Sequence, residues 1–218
     1  MDKEKNSYAT WLVEVAAKVI CPLLLLMICV LSSTQLFLGR AVGDINSVDG
    51  LLDSLLCFSL PMFVSIALVP ALYEKFVKKK TFEQIGLKLK KTKSNIVFFV
   101  INVVILCIAI TTLYIIDIEY ELTILISFVF VAFSEELMMR GILLETLREK
   151  LNWILSAIIC SFLFAFVYHS GEDPIINLCW RFPVGFILCV IAKKTGSIYQ
   201  GALVHLWLNI LVNTIWFI

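Results

Sequence analysis

Two adjacent carboxylates and a guanidinium, Glu135, Glu136 and Arg140, stand near the end of an apolar segment that begins at Leu122. Keeping charge there costs about 2.5–3.5 kcal/mol per side chain at the centre of a membrane helix, which makes each such group a functional candidate. The only two histidines, His169 and His205, also fall in or at the ends of apolar runs. Carboxylates and imidazoles can take a proton from water, hold a metal or donate hydrogen bonds to a developing oxyanion. Spacing sorts them. Glu136 and Arg140 are four residues apart, on one helix face, which suits an internal ion pair. Glu135 is rotated from Glu136 by about 100° and can point elsewhere. His205 and Asn209 share a face of the last apolar run, and Asn213, one turn on, reads as a packing hydrogen bond.

The elements that carry these residues are membrane helices. The 218-residue chain is 61% hydrophobic and 16% charged, with a mean hydropathy of +0.96. Soluble domains carry roughly 25% charged residues, and open sheets cannot satisfy their backbone in lipid, so the fold class is an all-α polytopic membrane protein. Apolar runs at 11–38, 51–73, 95–116, 122–147, 153–169, 174–192 and 197–217 predict seven spans, the fifth and sixth short. The first run is longer than a signal-peptide core of roughly 7–15 residues and reads as a retained span. Lysine and arginine enrichment alternates from one connection to the next, most strongly in the lysine-rich stretch 75–93. That alternation predicts a cytoplasmic N-terminus and an outside C-terminus. Within the basic stretch, 81–89 has Phe82, Ile85 and Leu89 at helical spacing, predicting a helix along the membrane surface. The lysines around it read as orientation signals and contacts to anionic lipid, not as a nucleic-acid footprint. The seven cysteines are dispersed with no C-x-x-C pair and read as small apolar packing residues.

Depth brings the polar residues together. A hairpin turning near 150–152 sets Glu135 opposite roughly Val167, within a turn of His169. His205 lies about 12 Å from an inner boundary at Ser197, and Glu135 about 20 Å from an outer boundary at Leu122. With a hydrocarbon core of about 30 Å, Glu135, His169 and His205 share one layer in the cytoplasmic half, and the hairpin end at 145–152 protrudes. Arg181 either snorkels to the outer face or reaches inward to bind a substrate C-terminus. Pro183 and Gly185 predict a bent, closely packed sixth helix.

The ordered pattern Glu135-Glu136-Leu-Met-Met-Arg140-Gly141, a histidine ending the next span, and His205-Leu-Trp-Leu-Asn209 in the last resembles the CPBP family of intramembrane proteases. That family includes the CAAX prenyl endopeptidases and bacterial relatives linked to bacteriocin processing and self-immunity. Its motifs are E-E-x-x-x-R, F-x-x-x-H and H-x-x-x-N. The resemblance runs from about Phe82 to the end, dividing the chain into N-terminal helices with the basic connection (1–80) and a protease-like core (81–218). One departure is that Ala165 stands four residues before His169, with Phe164 and Phe166 beside it. The resemblance implies catalytic roles for Glu135, His169, His205 and Asn209, with Glu136 and Arg140 in support.

The expected chemistry is peptide-bond hydrolysis near the cytoplasmic face of a bacterial cell membrane. Glu135 and His169 activate water, and His205 and Asn209 stabilise the oxyanion. No metal is required by this scheme. A zinc version would use Glu135, His169 and His205 as ligands with an open water position, although no H-E-x-x-H is present. The expected partners are a peptide or protein substrate, the lipid bilayer and potentially another membrane protein. A second reading is a non-proteolytic membrane regulator or bacteriocin self-immunity protein acting by binding. A third is a proton-relay transporter, disfavoured because there is no internal repeat.

Overall fold

The computed structural model of the chain describes residues 2–39, 50–88, 90–114 and 118–216. Arg40, Asp44, Asp49, Leu89, Asp117 and the side chain of Asn213 therefore lie outside the described residues. The rest folds into helical rods: α1 (Asp2–Leu38), α2 (Leu51–Val77), α3 (Lys93–Tyr114), α4 (118–148), α5 (Trp153–Tyr168), α6 (Pro174–Thr195) and α7 (Ile198–Trp216). No strand occurs among the described residues. Stretches of α1, α2, α3 and α6 are each long and apolar enough to cross a membrane; α5 and the described apolar part of α7 are shorter. The sixth run is thus longer than its sequence reading, extending to Thr195, where Gly196 adopts φ +65° and ends the helix.

α4 is the central rod. Leu137, Met138, Met139, Ile142, Leu143 and Leu144 are all buried, so this stretch is covered on every side. Trp11 and Val19 of α1, Ile66 and Ala67 of α2, Phe164 of α5 and Cys189 of α6 belong to the same core. A smaller core joins Ala109 of α3, Ala132 of α4 and Leu206 and Ile210 of α7. On α3, Ile96, Val97, Val100, Ile101 and Val104 point outward. So much contiguous apolar surface suits lipid rather than water. All seven cysteines are free thiols.

α1 is fixed by a buried ionic cluster. Lys18 Nζ meets Glu14 Oε1 at 2.8 Å and Glu74 Oε1 of α2 at 2.6 Å, and donates to Thr146 Oγ1 of α4 at 2.7 Å. Trp11 Nε1 donates to the Thr146 carbonyl at 2.8 Å.

The basic connection differs from the surface helix expected for it. Residues 82–86 form a single turn closed by reciprocal hydrogen bonds, Thr81 N–H to Gln84 Oε1 and Gln84 N–H to Thr81 Oγ1. Gly86 at φ +79° then turns the chain away. Ile85 is buried and Phe82 exposed, and the Gly86 carbonyl accepts from Ile198 N–H at the start of α7. The segment is a wedge under the bundle. Several lysines read as lipid contacts are also committed internally: Lys78 to Glu14, Lys80 to Glu74 and Glu149, and Lys88 to Glu83. The hydrogen bond to Glu14 holds the Lys78 ammonium above the usual lysine range. Burial pulls the Lys80 ammonium down, but Glu74 and Glu149 outweigh it.

Candidate active site

Glu135 and Glu136 close the α-helical part of α4, and from Leu137 to Leu143 the rod winds as a π-helix. Such wider turns are rare and recur at functional sites. Glu136 Oε1 accepts from Arg140 Nη1 at 2.8 Å, with both side chains fully buried. Arg140 Nη2 donates to the Gly185 carbonyl of α6 at 3.0 Å. The ion pair expected from the four-residue spacing is therefore present, and it also clamps α6. Two glycines permit the close approach. A Cβ on Gly141 would run into the Ile85 carbonyl, and one on Gly201 of α7 would lie 2.7 Å from Glu136 Oε2.

Glu135, His169 and His205 converge. Glu135 Oε2 lies 3.6 Å from His205 Nε2 and 3.9 Å from His169 Nε2. Glu135 and His205 are each 5% exposed, while the His169 side chain is 23% exposed. Both distances exceed a direct hydrogen bond, and Glu135 Oε2 and His169 Nε2 make no other hydrogen bond. A water about 2.8 Å from each of the three atoms is compatible with these spacings.

Glu136 has a second contact that sequence spacing missed: its Oε1 lies 3.2 Å from His205 Nδ1. An ionised carboxylate only accepts, so Nδ1 carries the proton in this contact. That fixes the imidazole orientation and turns Nε2 toward Glu135. In neutral His205, Nε2 is then an acceptor; donation from it requires the imidazolium.

Phe164 accounts for the departure in the second motif. Its ring meets His169 edge-on at 5.0 Å between centroids and His205 at 5.7 Å, and Arg140 Cζ lies 4.7 Å over its face. Phe164 precedes His169 by five residues, and Phe164–Tyr168 is π-helical. A turn closed by i→i+5 hydrogen bonds lines up residues five apart as an α-turn lines up residues four apart. The extra residue is absorbed by the wider turn, a signal visible only by counting to five.

Asn209 stands one turn from His205 on α7, half-buried, and hydrogen-bonds to none of the three converging side chains. Arg181 is engaged by residues of its own neighbourhood. It pairs with Glu172 Oε1 at 3.1 Å and donates to Asn177 Oδ1 at 3.0 Å, while Asn177 Nδ2 donates to the His169 carbonyl at 2.9 Å. The chain Glu172–Arg181–Asn177 thus braces the turn after His169. The Glu172 carboxylate comes from that same turn. Among the described residues, no group of three or more His, Cys, Asp or Glu side chains is arranged to hold a metal ion.

Residues 117–211, which contain all of these side chains, match the family model described as "Type II CAAX prenyl endopeptidase Rce1-like". The chain is also similar to an uncharacterized 24.3 kDa protein of Escherichia coli, 33% identical over 87 residues. That alignment covers 39% of this chain and 40% of the relative. No solved structure matches. Over residues 117–211, which hold both carboxylates, Arg140 and both histidines, the chain is similar to the Rce1-like type II CAAX prenyl endopeptidases.

Proposed function

We propose that the protein is an intramembrane endopeptidase that hydrolyses a peptide bond near the cytoplasmic face of a bacterial cell membrane. The observation that carries this reading is the convergence of Glu135 Oε2 with the Nε2 atoms of His169 and His205 in a largely buried site. Glu135 takes the proton of a water held with His169, and the resulting hydroxide attacks the substrate carbonyl. His205, oriented by Glu136, donates to the oxyanion in its doubly protonated form, with Asn209 approaching when substrate is bound. The Glu136–Arg140 pair and Phe164 hold both imidazoles in place. Arg181 acts on the His169 turn and contacts the C-terminal side of the substrate only if Glu172 releases it.

The alternating charge of the connections supports a cytoplasmic N-terminus, seven crossings and an outside C-terminus. Substrates of this reading are membrane-associated or leader-bearing peptides. Involvement in bacteriocin self-immunity by binding alone is the second reading, and what favours it is the lysine-rich connection at 75–93.

The test is cleavage of an internally quenched peptide library by protein reconstituted in liposomes, with products mapped by mass spectrometry and metal measured in parallel. Cleavage by the wild type that is lost in Glu135→Gln supports the hydrolytic reading. Full biological activity in Glu135→Gln and His205→Ala would refute it in favour of binding. One stoichiometric zinc, with cleavage abolished by chelation, would reassign Glu135, His169 and His205 as ligands.

A further inference from the structure

A polar cavity of about 490 Å³ opens where the basic connection, the α4–α5 hairpin and the α6–α7 turn meet at one end of the bundle. Its walls include Lys90, Arg140, Trp153 and Lys193. Three carboxylates also line it, and each already has a cation: Glu83 with Lys88, Glu145 with Arg148, and Glu149 with Lys80. Lys90 and Lys193 have no carboxylate partner among the described residues, and Lys193 Nζ sits 3.9 Å from the Trp153 ring centroid.

Two residues that line this cavity each carry an N–H donor that is left unused. Arg140 is 2% exposed, and its Nε makes no hydrogen bond although both terminal nitrogens are engaged. Trp153 Nε1 is likewise buried without an acceptor. Both are donor-only groups. A lysine at the end of α6 is explained by the helix dipole alone, but that does not account for two buried, unpaired N–H groups on residues that line the same cavity. Donors without acceptors beside two ammonium groups that lack a carboxylate partner call for a ligand rich in acceptor oxygens and negative charge.

We infer that this cavity is a phosphate-binding site, separate from the converging Glu135, His169 and His205, which takes a phosphate ester through Arg140, Trp153, Lys90 and Lys193. The nearest source is the headgroup of an anionic phospholipid. The cavity lies among helix ends at the lysine-bearing end of the bundle, where a tryptophan and basic residues meet headgroups. Free phosphate presents the same chemistry. The inference does not depend on the protein being a peptidase.

The test is native mass spectrometry of the intact protein in neutral detergent, titrated with phosphatidylglycerol or phosphatidylcholine, together with unfolding temperatures in inorganic phosphate or chloride. Wild type is expected to retain phosphatidylglycerol selectively. The double variant Lys90→Gln/Lys193→Gln is expected to lose about 30-fold in that retention, the attraction of roughly two lysines for anionic headgroups. Trp153→Phe keeps the ring under Lys193 and removes only the N–H, with an expected loss of about fivefold. Stabilisation by phosphate that both variants abolish supports the site and shows that it accepts the free ion as well. Selective lipid retention without a phosphate effect supports it with lipid as the source. Equal retention of the two lipids together with no phosphate effect, or unchanged binding in both variants, would overturn it.

Discussion

Glu135 and Glu136 are neighbours of the same type, and the structure gives them different contacts. Glu136 is fully buried and holds Arg140 at 2.8 Å and His205 at 3.2 Å. Glutamine in its place can still offer one oxygen to both donors, as Oε1 does now, but leaves a buried guanidinium without its counter-charge. Breaking a buried pair in this way costs about 3–5 kcal/mol. Glu135 is nearly as buried, but its contacts at 3.6 and 3.9 Å are too long to be hydrogen bonds. Glutamine there keeps the shape and gives up little structure, about 1 kcal/mol or less. Under the proposed function it also removes the proton acceptor, which in general-base catalysis is worth about 10²–10⁴ in rate. The assay pairs thermal unfolding in detergent with cleavage of the quenched peptide library at matched protein levels. Glu135→Gln should unfold like the wild type and be inactive. Glu136→Gln should unfold many degrees earlier. Equal loss of stability in the two variants, or cleavage surviving in Glu135→Gln, would refute the division of roles.

Moving the aromatic of the second motif into family register, Phe164→Ala with Ala165→Phe, should lower both stability and cleavage, because Ala165 is fully buried and has no room for a ring. Truncating Phe164 alone costs about 3–5 kcal/mol in a well-packed core, and recovery of activity in the double variant would count against the π-turn account. Gly141→Ala drives a Cβ into the Ile85 carbonyl and should destabilise by about 1–3 kcal/mol, read as a lower unfolding temperature. Glu74→Ala takes from Lys18, which is 7% exposed, one of its two carboxylates and leaves it Glu14, and should cost about 1–3 kcal/mol; adding Lys18→Met should return part of it. The Glu14 hydrogen bond raises the Lys78 pKa. Its stabilisation is therefore complete below lysine's ordinary value of about 10.4 and is lost only as pH climbs past the raised one. Lys78→Gln should accordingly lower the unfolding temperature across the neutral range and flatten its alkaline decline.

Hydropathy alone delimited the helical rods to within a few residues at most ends, because a run of apolar side chains has few other ways to satisfy its backbone in lipid. The i,i+4 spacing of Glu136 and Arg140 was enough to foresee their pairing, since both lie on one rod and need no tertiary information to meet. The same is true of the shared depth of Glu135 and His169 on two rods joined by a short hairpin. What local spacing could not reach were contacts between rods distant in sequence: Glu136 with His205, Lys18 with Glu74, and Arg140 with the Gly185 carbonyl. Rotation of each rod about its own axis decides those, and that is set by packing over the whole bundle. The π-helical turn before His169 belongs with them. Sequence showed an aromatic one place out of step, and only the wider winding of α5 brought Phe164 onto the histidine's face. The surface helix expected at 81–89 fell to the same cause: Ile85 and Gly86 are drawn under the bundle by Gly141 and Ile198, neighbours in space that no local periodicity contains.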